Sequence, residues 1–201
     1  MFHRQPAALY CLCMGVGLIG FLGSMLPIFS DAEEALGLQM LYTLRGPETA
    51  PADVVVVAID KASASALNLP LSTHRWPRRL HARLIDALAD RQAAVVAFDL
   101  FFQDPQDPDD DLALANAMRG AGNVVLTQAI DRQTVPLTDR SGGRQARATI
   151  ERVISAMPTI ADAAVAQAPF PLPKVPVKLN QFWCFRPESG NLPTLPVVTL
   201  H

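Results

Sequence analysis

Two short, unbroken apolar runs, each closed by an aspartate, set the limits on what this chain can fold into. Val54–Ile59 ends at Asp60, and Ala94–Phe98 ends at Asp99. Runs this short and this rich in β-branched residues read as strands buried on both faces, as in a parallel sheet covered by helices. Between them, Leu80 to Arg91 places Leu80, Leu84, Ile85 and Leu88 on one face and Arg83, Asp86 and Asp90 on the other, which is helical spacing. Strand, amphipathic helix and strand make a right-handed βαβ unit. It sets Asp60 and Asp99 at the carboxyl ends of strands, where open α/β sheets build their sites. Asp107 to Arg119 is expected to form the next helix, with acids at its front, a base at its rear and Gly120 and Gly122 to end it. Asn123–Thr127 is then a third strand. The expected core is βαβαβ over residues 53–128, with helices on both faces of the sheet.

Ahead of this core, residues 7–29 carry no charge and are expected to form a transmembrane helix. Arg4 precedes the run, and Asp31, Glu33 and Glu34 follow it. That asymmetry implies a cytoplasmic N-terminus over residues 1–6 and an extracytoplasmic domain over 30–201. A cleaved signal peptide is the rival reading, with a late site at Ser30–Ala32. Residues 31–45 read as a membrane-proximal helix stopped by Gly46–Pro47. Gly15, Gly17, Gly20 and Gly23 would let two copies of the first helix approach closely, which suggests a homodimer.

Later segments are less patterned. Residues 131–152 are polar and read as an exposed excursion, and 156–168 holds a short helix. Prolines exclude a central strand from 172–177. Residues 175–185 suggest an edge strand, and Val197–Leu200 the first turn of a helix. A net charge of −2 argues against nucleic acid as a partner, which needs a basic face. Three cysteines exclude a disulfide framework, and Cys184 is expected to be buried and inert.

The ordered series is more telling than any one motif. Leu44–Pro47 is followed by the valine run, Ala58–Ser63, Arg75–Arg78, Leu84–Leu88, Ala97–Phe102, an Asp-rich helix start and Gly122–Leu126. Together these resemble the CHASE domain, type two, an extracytoplasmic sensory module of bacterial adenylate cyclases, histidine kinases and related receptors. The resemblance runs over about residues 7–128 and resumes at Ala161, with Leu192–Pro196 like a later step of the family. Two departures stand out: Arg78 replaces an aromatic, and Glu188–Gly190 replaces an Asp-Gly turn. The resemblance implies the front part of a receptor, incomplete at its C-terminus. It would be held in the inner membrane with its sensor in the periplasm, detecting an external ligand and relaying it to a cytoplasmic output domain.

The candidate ligand residues are Asp60, Ser63, Arg75, Arg78 and Asp99. Asp60 and Asp99 would line a crevice, with Ser63 and Ser65 offering hydroxyls, or Asp60 would cap a short helix and Asp99 fix a turn. Arg75, Arg78 and Arg79 would bind an anion at a helix start, or pair with Asp60, Asp99 or Asp104 to lock the loops. Trp76 reads as a packing anchor. Asp107, Asp109 and Asp111 alternate as calcium ligands do, but lack the glycine and distal glutamate of such a loop, so a solvated helix cap is expected. No metal spacing, cofactor motif or catalytic constellation is seen. An exported α/β hydrolase using Asp60 and Asp99 is the alternative to the sensor.

Overall fold

A computed structural model describes residues 6–24, 27–138, 145–172 and 182–200. The chain divides into two units, Met1–Val56 and Val57–His201. The first holds helices α1 (Pro6–Ser24) and α2 (Pro27–Arg45). This corrects the expectation of a transmembrane helix over 7–29. The apolar run is divided between two helices, and Pro27, which cannot sit comfortably inside a helix, opens the second. Among the described residues, no helix is long and apolar enough to cross a membrane. Gly46 ends α2 in the left-handed region (φ +76°), its N–H bonding the Tyr42 carbonyl at 3.1 Å.

The second unit is a mixed α/β domain. Its short helix α3 (Lys61–Ala66) precedes α4 (Arg78–Ala89), β1 (Val96–Phe98) and α5 (Pro108–Ala121). The long strand β2 (Val124–Thr138) pairs in parallel with β1, Phe98 opposite Leu126, and on its other side with β4 (Ala166–Pro169). Beyond Gln128, β2 runs antiparallel to β3 (Gln145–Ile154). A short helix α6 (Pro158–Ala161) leads into β4. Near the end, β5 (Phe185–Arg186) pairs with β6 (Leu192–Pro193), and α7 (Leu195–Leu200) follows.

Side chains alternate across β2 with the strand period of two. Val124 and Leu126 face Ile85 of α4, Leu114 and Met118 of α5 and Ile160 of α6. Val125 faces the opposite way, onto Ala168 and Leu195 of α7. The α5 boundaries follow their chemistry. The Asp107 carboxylate accepts from the N–H groups of Asp109 and Asp110 at 3.0 and 3.1 Å, and Gly122 closes the helix at φ +66°.

Two further expectations are corrected and a third is refined. Val54–Ile59 forms no strand; Val56 is 83% exposed. A buried strand needs a ladder and a cover, and among the described residues β1 pairs with β2 alone and none pairs with this run. The first strand of the expected βαβαβ is therefore missing, and the parallel order is β1-β2-β4. Residues 131–138 and 145–152, expected as parts of an exposed excursion, are paired strands of the β2–β3 ribbon. Their polar composition and Pro136 hid the strands, because the ribbon is largely exposed. Cys184 is exposed, not buried. Residues 139–144 and 173–181, the latter including most of the expected edge strand, lie outside the described residues.

One buried cluster pins the chain end to the ribbon. Glu151 on β3 accepts from Arg132 at 2.8 Å, Arg186 at 2.6 Å and the Ser189 hydroxyl at 3.0 Å. The Arg186 bond is the chief cause that draws its carboxyl down to about 2, with Arg132 and Ser189 adding to it against the effect of burial. A depressed carboxyl stabilises the fold above its unfolded value and loses that contribution as pH falls through the folded one. Acidification from about pH 4.5 towards 2 is therefore expected to loosen β5 and β6 from β3. Glu151→Gln should flatten that part of the stability–pH curve. Identical acid profiles for the two proteins, followed by urea unfolding, would refute it.

Candidate functional site

The amino ends of α4 and α5 meet through ion pairs. Arg78, the first residue of α4, is 2% exposed and donates from Nη1 to Asp111 Oδ1 at 2.5 Å. Its Nη2 donates to the Asp104 carbonyl, and its guanidinium lies 5.5 Å from the Phe102 ring centre. The exposed Arg79 reaches the buried Asp110 at 2.7 Å. The other oxygen of Asp111 accepts from the Gln106 N–H at 3.1 Å, and the Gln106 side chain donates to the His74 carbonyl. One carboxylate thus ties together α4, α5 and the loop before α5, and Gln106 extends the tie to the 3-10 turn at Thr73–Arg75.

Inside this frame lies a pocket of about 400 Å³. His74 and Trp76 come from the loop before α4, Arg78 and His81 from its first turns, Phe101 and Phe102 from the loop after β1, and Asp104 and Gln106 from the approach to α5. Trp76 is buried, donates from Nε1 to the Pro70 carbonyl at 2.7 Å and stacks on His81 with ring centres 6.5 Å apart. The edges of Phe98 and Phe102 meet the same imidazole at 6.1 and 5.7 Å. Burial, with the positive charge of Arg78, pulls the His81 pKa below its usual value and keeps the ring neutral at neutral pH. The volume is at the low end for small-molecule sites, and aromatic walls with a few polar groups are their ordinary lining.

The five expected ligand residues do not form one site. Asp60 caps α3, accepting from the Ser63 N–H and hydroxyl, each at 2.8 Å. Those bonds hold its carboxyl below the usual range. Asp60 and Ser63 are thus brought together. Arg75 is exposed in the 3-10 turn, and Asp99 is exposed just after β1. Of the five, Arg78 alone lines the pocket. Its partner is Asp111, not Asp60 or Asp99, because α5 brings its amino end against that of α4. Asp107 caps α5 as expected, but Asp110 and Asp111 are buried rather than solvated. No group of side chains suited to a metal ion occurs among the described residues.

Sequence reasoning missed His81. The signal was present: Arg78, His81, Ala82 and Ile85 fall at the i, i+3, i+4 and i+7 positions of one helical stripe, and all four are buried. Counting apolar residues alone passed over the two polar ones.

The family model for the CHASE2 domain matches residues 12–182. The chain belongs to this family. CHASE2 domains are extracytoplasmic sensory domains, so this chain carries a sensory module. The match takes in the whole frame around the pocket, from Thr73 to Asp111, together with the sheet that supports it. No curated protein and no solved structure matches this CHASE2 domain.

Proposed function

We propose that this CHASE2 domain detects an external small molecule in the pocket at the head of α4 and relays its arrival to an output domain of a longer receptor, working outside the cytoplasm and as a homodimer. The observation that carries the reading is the placement of the pocket. It lies where one buried carboxylate, Asp111, joins two core helices and the loop before α5, and Gln106 carries the tie to the loop before α4. A molecule that enters must press on this junction, so binding is coupled to the relative positions of α4 and α5. Such a ligand shifts the domain between two arrangements only by as much as it prefers one of them. The dimer reading rests on Gly15, Gly17, Gly20 and Gly23 of α1, where a Cβ would meet nothing within 4 Å, which leaves room for the close approach of a second copy.

A thermal-shift screen of small molecules against the full chain tests the reading. Molecules that raise the melting temperature should lose their effect on Gln106→Trp, whose larger side chain fills the mouth of the pocket. Stabilisers that act equally on this variant would place the sensory site elsewhere. Light scattering of the full chain should give twice the monomer mass. A reporter enzyme active only outside the cytoplasm, fused after Leu200, should be active.

A further inference from the structure

We propose that the pocket takes a small uncharged aromatic molecule bearing an amide-like group, read by His81 and Arg78; this rests on the pocket being the sensory site. His81 is 4% exposed, yet neither of its ring nitrogens bonds any described residue. One turn earlier on α4, the Nε–H of Arg78 is buried without an acceptor. Buried polar groups are almost always satisfied, so the open Arg78 Nε–H calls for an acceptor. A neutral imidazole has one donor and one acceptor nitrogen, and the guanidinium Nε–H needs an acceptor. A carboxamide offers an acceptor oxygen and donor N–H groups on one planar unit, which matches both.

Charge narrows the class further. The positive charge of Arg78 is already met by Asp111, and Asp104 adds a carboxylate at the rim. Because the Arg78–Asp111 pair is matched, an anion or a cation beside His81 gains no free counter-charge there and still loses water on entry. The walls formed by Trp76, Phe101 and Phe102 favour a flat aromatic body.

The test titrates benzamide, benzoate and benzylamine into the full chain, following the ring C–H resonances of His81 by NMR and the melting temperature. Benzamide should move both. Benzoate and benzylamine should bind about tenfold more weakly or worse. His81→Phe gives up no internal hydrogen bond and fits among the aromatic rings. It should melt no lower than the parent without probe, and should bind benzamide at least about tenfold more weakly. Should that variant fail to fold, the parent's His81 resonances decide alone: movement with benzamide supports the proposal and none overturns it. If benzoate moves them at lower concentration than benzamide, the ligand class is wrong while the pocket stands as the sensory site. If none of the three moves them, the amide reading is overturned, and the library screen with Gln106→Trp judges the pocket separately.

Discussion

Asp111→Ala should destabilise the domain by about 3–5 kcal/mol, a large part of the 5–15 kcal/mol that holds an ordinary domain together. The size follows from what is left behind. Arg78 is 2% exposed, so removing its partner strands a guanidinium where water cannot reach it. The Gln106 N–H loses its acceptor in the same step. Arg78→Met keeps the apolar contact with Phe102 but strands Asp111 instead, and should cost a similar amount. The double variant leaves no orphan charge. It should cost clearly less than the sum of the two, since residues in direct contact are not additive. Urea unfolding of the four proteins measures the cycle. Additivity within about 0.3 kcal/mol would show that the two side chains are not coupled, and the junction that links α4 to α5 would lose its basis.

How much of this was legible in the sequence depended on whether the deciding interaction was local. Asp107, Pro108 and Gly122 act within a turn of their own positions, and α5 was read with nearly the right ends. The apolar stripe of α4 was legible because burial imposes its period on the residues that take part, and the strand over Asn123–Thr127 because its apolar run follows the helix-ending Gly122. The pocket was not. Arg78 meets a partner 33 residues away, and its choice of Asp111 over Asp60 or Asp99 depends on how two helices sit together. His81 reads as a polar residue on a helix, and only tertiary packing decides that Trp76, Phe98 and Phe102 surround it. The β2–β3 ribbon failed for a different reason. Strand patterns report a buried apolar face, and beyond Gln128 the ribbon puts no described residue in the apolar core.

The valine run makes the sharpest case, because composition alone cannot tell a covered strand from an extended segment. Leu126 and Val56 are both apolar residues in valine-rich stretches, but the structure gives them opposite surroundings. Leu126 is 1% exposed, opposite Phe98 in the parallel ladder, with β4 on the other side of its strand. Leu126→Asp removes a buried side chain worth about 2 kcal/mol and puts a carboxylate in its place. With no partner for the charge, the total should reach about 4 kcal/mol or more, enough to unfold a domain of average stability. Burial would raise the pKa of the new aspartate in the folded state. Its penalty is therefore greatest above that raised value and shrinks as pH falls through it towards about 4, where the unfolded chain also protonates. Val56→Asp, at a position already open to water, should change stability by no more than about 0.5 kcal/mol at any pH. Urea unfolding at two pH values separates the outcomes. A loss at Val56 as large as that at Leu126, with the same relief in acid, would mean that Val54–Ile59 is a covered strand after all and that β1 has a second neighbour in the sheet.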